Sequence, residues 1–342
     1  MWRLSLIHGA TVASGHRIKA MQDCGNGPLV SRRHVGQQRR IMAKRSGKPE
    51  NIPRGIGLRI AAAGCFSIMS ALFKMAGEHG VAAPEMLLYR AIFGIPVILI
   101  WVWSGPGLGA LSTRRPWAHV LRVSLGIASI LCVFQGLILL PLADAATIGF
   151  TTPIFAIILS WALLKERIGP RRWLAVLCGF LGVVIVMRPG GSGVELPLAG
   201  VAFALVGALG AAGVTITLRQ MGRTEHVAAI TFWFFVGSAA VGVILWPFVG
   251  QIHDWRTTVL LALGGIAGGL AQLTMTASLQ SAPVSVVAPF DYLQIIGAIL
   301  LGWLLLATVP TINTLAGGAI IAGSGLYAAW RERLATERRK KG

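Results

Sequence analysis

The sequence predicts an all-α membrane protein of ten transmembrane helices, built as two inverted five-helix units. Three observations carry this expectation. The chain is too apolar for a water-soluble fold, its basic residues fall between long uncharged stretches, and its halves repeat at a fixed offset.

Of the 342 residues, 55% are hydrophobic and 13% are charged, where a soluble domain carries about 25% charged residues. The mean hydropathy of +0.70 agrees. The 43 glycines suit membrane helices, in which Gly is more frequent than in soluble ones. A net charge of +19 by itself would suit a nucleic-acid partner, but its distribution argues otherwise. Lys and Arg crowd residues 1–54, residues 331–342 and a few short loops, which is the positive-inside pattern. Cys24, Cys65, Cys132 and Cys178 show no CxxC or Cys/His spacing, so no disulfide framework, metal site or cofactor is expected.

A helix needs ~20 apolar residues to cross ~30 Å of hydrocarbon. Ten stretches qualify: 56–76, 84–103, 117–139, 143–164, 172–187, 197–218, 227–248, 257–279, 284–306 and 312–330. The fifth is short. Gly264-x-x-x-Gly268 and Gly265-x-x-x-Gly269 give the eighth stretch two small-residue faces for close packing. Pro153 and Pro289 fall in the fourth and ninth stretches, where proline breaks or kinks a helix. Interruptions at corresponding places point to a central binding site.

One set of loops and the tail hold Arg114, Arg115, Lys165, Arg167, Arg171, Arg172, Arg219, Arg223, Arg331, Arg333, Arg338, Arg339, Lys340 and Lys341. The opposite set holds only Arg188 and Arg256. Both termini are therefore expected in the cytoplasm of a cell whose inner membrane the chain spans. Residues 1–54 form a basic segment with little expected structure and no apolar signal core. Within it, residues 1–41 read as a dispensable tail or an upstream start, because Met42-Ala43-Lys44-Arg45 makes a short basic leader before the first apolar run.

The repeat has an offset of 142 residues. Ala156-Ile157-Ile158-Leu159-Ser160-Trp161-Ala162-Leu163-Leu164 matches Ala298-Ile299-Leu300-Leu301-Gly302-Trp303-Leu304-Leu305-Leu306, six of nine identical. The same offset places Pro141 on Pro283 and Gly126 on Gly268. The expected organisation is a first repeat over 55–188, a second over 196–330 and a basic tail over 331–342. With an odd number of helices per unit, the second enters the membrane from the opposite side. Inverted repeats of this kind build two interchangeable states, one open to each side.

The run from Arg115-Pro116-Trp117-Ala118-His119-Val120-Leu121-Arg122 through Thr152-Pro153-Ile154-Phe155 to Leu164-Lys165-Glu166-Arg167 and Gly179-Phe180-Leu181-Gly182-Val183 resembles the drug/metabolite transporter superfamily, in its ten-helix EamA-type branch. Ala288-Pro289-Phe290-Asp291-Tyr292-Leu293 adds to the likeness, which covers residues 56–330. It is greatest to the subgroup with bacterial S-adenosylmethionine uptake transporters, and riboflavin carriers and amino-acid exporters use similar frameworks. The resemblance implies a carrier for a small organic metabolite, with a proton or an exchanged metabolite as coupling species and a monomer or homodimer as assembly. Two positions depart from the family pattern: Thr308 stands where a Glu matching Glu166 is usual, and Ile295 stands opposite Pro153.

A charge inside a bilayer is a functional candidate by default. Asp291 lies near the middle of the ninth stretch and can carry a proton, meet a cationic substrate, or pair with a helix such as the one bearing Arg90. Arg90, six residues into the second stretch, suits a substrate carboxylate or snorkels outward. Together the two suit a zwitterion. Gln135, Gln272, Gln294, Thr151 and Tyr292 are further candidates for a polar lining, against the ordinary use of such groups between helices. Thr147, Thr152, Thr274, Thr276 and Ser285 could serve the same lining, while Phe134 and Phe150 could stack on a planar ligand. Arg59, Lys74, Arg122, Asp144 and Glu166 sit near expected helix ends and read as interface anchors. No HExxH, acidic metal cluster, phosphate loop or repeated filter segment is present, so neither an enzyme nor a channel is expected. A reporter fused after Gly342 is expected to give a cytoplasmic signal; a periplasmic signal overturns this orientation.

Overall fold

The computed structural model describes residues 51–113, 115–164, 170–187, 196–221, 224–282 and 287–341. The basic segment 1–50, Arg114, Lys165, Glu166, Arg167, Arg188, Arg223, Pro283 and Ser285 lie outside the described residues. Among the described residues the chain is all-helical. Its helices are α1 (Ile52–Glu78), α2 (Ala83–Ser104), α3 (Pro116–Leu139), α4 (Leu142–Gly149), α5 (Thr152–Leu164), α6 (Pro170–Met187), α7 (Leu198–Met221), α8 (Val227–Val249), α9 (Trp255–Ser281), α10 (Leu293–Leu306) and α11 (Ile312–Lys341). A short 3₁₀ turn over Leu108–Leu111 follows α2, and another over Ala288–Tyr292 precedes α10.

Seven segments of the described residues are long and apolar enough to span a membrane: α1, α2, α3, the α4–α5 run 142–163, α7, α8 and α9. Three of the ten expected stretches depart from full apolar length. The fifth gives Trp173–Met187 and the ninth Phe290–Leu306, while the tenth continues from Ile312 to Lys341 in one helix with the basic tail.

The fourth and ninth stretches are both broken. α4 stops at Gly149 and α5 starts at Thr152, with Pro153 in its first turn. Proline cannot donate a backbone bond but fits the start of a helix. The Thr151 and Thr152 hydroxyls donate to the carbonyls of Ile148 and Gly149, both at 2.8 Å, and satisfy the end of α4. Pro289 sits likewise inside the 3₁₀ turn before α10. α10 ends at Ala307, whose φ is 51°, and the Thr308 hydroxyl closes that end by donating to the Gly302 carbonyl at 3.0 Å.

The helices pack in a reciprocal pattern. α1 lies on α9 and α3 on α7; α1 also meets α10, as α7 meets α4 and α5; α2 meets α8, and α6 meets α11. The small-residue faces of α9 serve two neighbours, as expected. Gly264 and Gly268 face Phe73 and Met69 of α1, and Gly265 and Gly269 face Tyr89 and Gly94 of α2. Phe73 and Phe134 meet edge to face at 5.1 Å in the core shared by α1, α2 and α3. Large apolar side chains cover the outside, including Ile100, Leu177, Val243, Ile244 and Leu304, as lipid contact requires. Trp103, Trp117 and Trp255 are exposed near helix ends, the position of interfacial aromatic belts.

At Gly182, an added Cβ would lie 2.9 Å from the Gly317 backbone oxygen on α11 and 2.8 Å from Ile321. Gly182→Ala is expected to lower the stability of the detergent-purified protein by ~1–3 kcal/mol through overpacking. Gly57→Ala, with no atom within 4 Å, is expected to raise it by up to ~1 kcal/mol. Thermal melting of both variants checks the contrast.

Candidate functional site

Asn51 caps α1 by accepting from the Arg54 backbone N–H at 3.0 Å, and Pro53 sits in the first turn. The helix therefore starts at Ile52, earlier than the apolar run alone indicates, and Arg59 lies ~10 Å from its start at 1.5 Å per residue. There its guanidinium grips Asp291 with two parallel bonds, Nε to Oδ1 and Nη2 to Oδ2, both at 2.5 Å. The Arg59 side chain is 9% exposed and that of Asp291 29%. The pair ties α1 to the 3₁₀ turn of the broken ninth stretch. Arg59, not Arg90, is the helix-borne partner of Asp291, and the signal for it was the Asn51-Ile52-Pro53 start.

Tyr292 follows Asp291 and stacks on Phe150 with ring centroids 5.0 Å apart and planes tilted by 31°. Phe150 occupies the break between α4 and α5. The two rings are 142 positions apart, the same offset as the sequence matches. Thr151 is buried and spends its hydroxyl on the broken end of α4. The backbone carbonyl of Gln294 accepts from the Ser67 hydroxyl at 3.4 Å. Gln135 is half-buried on α3 beside Phe134.

A second cluster lies where α2, α3, α8 and α9 meet. Arg90 is 2% exposed and Arg122 5% exposed. The Arg90 Cζ lies 4.7 Å from the Phe235 ring centroid and 5.6 Å from that of Phe234; the Arg122 Cζ lies 4.4 Å from Phe234. On both arginines Nε and Nη1 are buried without a hydrogen-bond partner among the described residues. Cation–π contact contributes ~0.5–2 kcal/mol, while a buried unpaired charge costs several kcal/mol. The rings alone therefore do not offset the burial of two guanidinium groups. Gly268 leaves space at this point, since a Cβ there would lie 3.2 Å from Arg90 Cγ and Nε. Gln272, buried and one turn further along α9, shares that face. Arg122 was expected at a helix end, yet α3 starts at Pro116 and carries it ~9 Å inward.

Arg90 and Asp291 are not brought together. Gly268 touches both Arg90 and Met69, and Met69 lies ten residues, or ~15 Å, along α1 from Arg59. The remaining charged residues brace helices. Lys74, expected to snorkel, donates to the Ile138 carbonyl at 2.9 Å. Asp144 accepts from the Thr314 hydroxyl at 2.5 Å. His119 meets Glu225 at 3.4 Å. Glu85 accepts from His253 at 2.5 Å and from the Gln251 backbone at 3.1 Å, which pins the loop before α9 to α2. Just outside the membrane segment, the Thr257 hydroxyl, then the backbone N–H groups of Arg256 and Thr257, hold the capping carboxylate of Asp254 below its ordinary pKa. No group of three or more His, Cys, Asp or Glu is placed to hold a metal among the described residues.

Comparison with known proteins puts this geometry in context. A riboflavin transporter of Rhizobium johnstonii is 30% identical over 259 residues, covering 74% of this chain and 82% of that protein. A pseudopaline exporter of Pseudomonas aeruginosa is 29% identical over 271 residues, covering 78% and 93%. An S-adenosylmethionine uptake transporter of Rickettsia felis is 25% identical over 260 residues, covering 75% and 85%. A solved crystal structure shares the fold with a TM-score of 0.57 at 19% identity, over 82% of this chain and 98% of that one. The model of the EamA-like transporter family matches twice, over residues 53–188 and 198–329. The chain is therefore a member of the EamA-like transporter family.

Proposed function

We propose that the protein is a secondary transporter that moves a small organic metabolite across the inner membrane by alternating access. In this reading it has ten transmembrane helices in two inverted five-helix repeats, with both termini in the cytoplasm. The observation that carries it is the meeting of the two broken stretches at Phe150 and Tyr292, residues 142 apart. A position and its own counterpart touch only near an internal two-fold axis. The reciprocal packing supports the same axis: Gly179 lies against Ser324 and Gly182 against Ile321, and those four positions exchange under the 142-residue offset. The double family match also fits two repeats.

Broken helices on such an axis place free helix ends and a charged side chain inside the membrane without exposing backbone to lipid. The Arg59–Asp291 pair then acts as the coupling element. It holds α1 against the 3₁₀ turn, and a proton on Asp291 frees Arg59 and lets that end of the bundle part. S-adenosylmethionine or a related zwitterion is the first substrate candidate, with riboflavin transport or drug or amino-acid export as the second reading. One chain carries both repeats and hence a whole pathway.

Proteoliposomes test the mechanism. Uptake from a panel of S-adenosylmethionine, riboflavin and amino acids, with and without a proton gradient, is expected to saturate and to show counterflow; non-saturating conductance overturns it. Asp291→Asn and Arg59→Gln are each expected to abolish uptake. Each should cost on the order of 3 kcal/mol of stability by leaving a partly buried charge unpaired, and the double variant should cost less than the sum of the two. Near-normal uptake by Asp291→Asn protein removes that residue from the mechanism.

A further inference from the structure

We infer that Arg90 and Arg122 form an oxyanion-binding site, at which the protein recognises a carboxylate or phosphate group of an organic substrate. The inference rests on the transporter reading and narrows its substrate class. Other buried charged side chains have protein partners: Arg59 has Asp291, Glu85 has His253, His119 has Glu225 and Lys74 has a carbonyl. Arg90 and Arg122 instead share the Phe234 ring and leave Nε and Nη1 unpartnered among the described residues. Two guanidiniums at one aromatic ring repel each other, and an anion between them removes that repulsion while accepting several N–H bonds at once.

The surroundings fit a ligand better than a structural post. Gly268 and Gly126 stand beside the two guanidiniums, where a Cβ would press into Arg90 and into Arg122 Nη1. Phe234 and Phe235 supply flat apolar walls, and Gln272 lies one turn from Gly268 on the face of α9 that meets Arg90. Two carboxylates of this region are engaged elsewhere: Glu225 by His119, one turn from Arg122 on α3, and Glu85 on α2 by His253. Arg90 on α2 and Arg122 on α3 each lie ~10 Å from the start of a spanning helix, within the spanning segments, where a carrier holds its substrate.

Thermal melting of the full chain in detergent tests the site without requiring transport. The probes are succinate, glycerol 3-phosphate, the neutral diamide succinamide, and added potassium chloride at matched ionic strength. Succinate or glycerol 3-phosphate is expected to raise the melting midpoint; the larger shift tells carboxylate from phosphate. Succinamide and chloride are expected to leave it unchanged. Arg90→Gln and Arg122→Gln are each expected to weaken anion binding on the order of thirtyfold, with partial retention in Arg90→Lys and Arg122→Lys. The ligand-free Gln variants should melt no lower than the parent, since each loses an unpaired buried charge. Equal shifts with succinamide or chloride, no shift with either anion, or unchanged binding in both Gln variants overturn the site. Saturable uptake in proteoliposomes alongside any of those results spares the transporter reading and removes the oxyanion site alone.

Discussion

Hydrocarbon offers no hydrogen-bond partner, so every backbone N–H and C=O at membrane depth must find one within the protein. The rest of this architecture follows from how that demand is met at two interruptions. At the first, the hydroxyls of Thr151 and Thr152 close the end of α4, and Pro153 starts α5 without a donor to satisfy. At the second, Pro289 lies in a 3₁₀ turn that leads into α10. Each interruption is covered by protein: α7 packs over α4 and α5, and α1 packs over the 3₁₀ turn and α10. Without those covering helices the breaks would cost several kcal/mol per orphaned group.

The buried charges divide by how they are compensated. Arg59 and Asp291 pair through two bonds of matched geometry, so their joint field is small beyond a few ångströms. Arg90 and Arg122 carry the same sign into the interior, and only aromatic faces meet them among the described residues. The first arrangement joins helices; the second creates a positive potential between them. The two lie ~15 Å apart along α1, far enough to respond to different chemical events in one transport cycle.

Much of the fold was legible because lipid imposes a simple code. Apolar length located seven of the ten expected spans at full length, the faces of α9 were visible as Gly264/Gly268 and Gly265/Gly269, and Pro153 with Pro289 marked the breaks. The site was less legible, because depth depends on where a helix begins and apolarity says little about that. Arg59 looked like an end residue, yet the Asn51 cap starts α1 early and carries it well inside. Glu85 with His253 was invisible, since 168 positions separate them and nothing local links a first-turn Glu to a distant loop. Asp291 was legible as an important residue, but its partner depended on how α1 crosses the turn.

The contact of Phe150 with Tyr292 has an evolutionary consequence. Elsewhere, under the proposed two-repeat organisation, a substitution in one half leaves its counterpart untouched, and the halves can drift apart, as at Ile295 opposite Pro153. Two rings in mutual contact lack that freedom, because each is the environment of the other. A change in either reshapes the shared contact, and under the proposed exchange of roles it is felt in both orientations of the carrier. Specialisation for one cargo therefore has to accumulate away from this contact, on helices that face it from only one half.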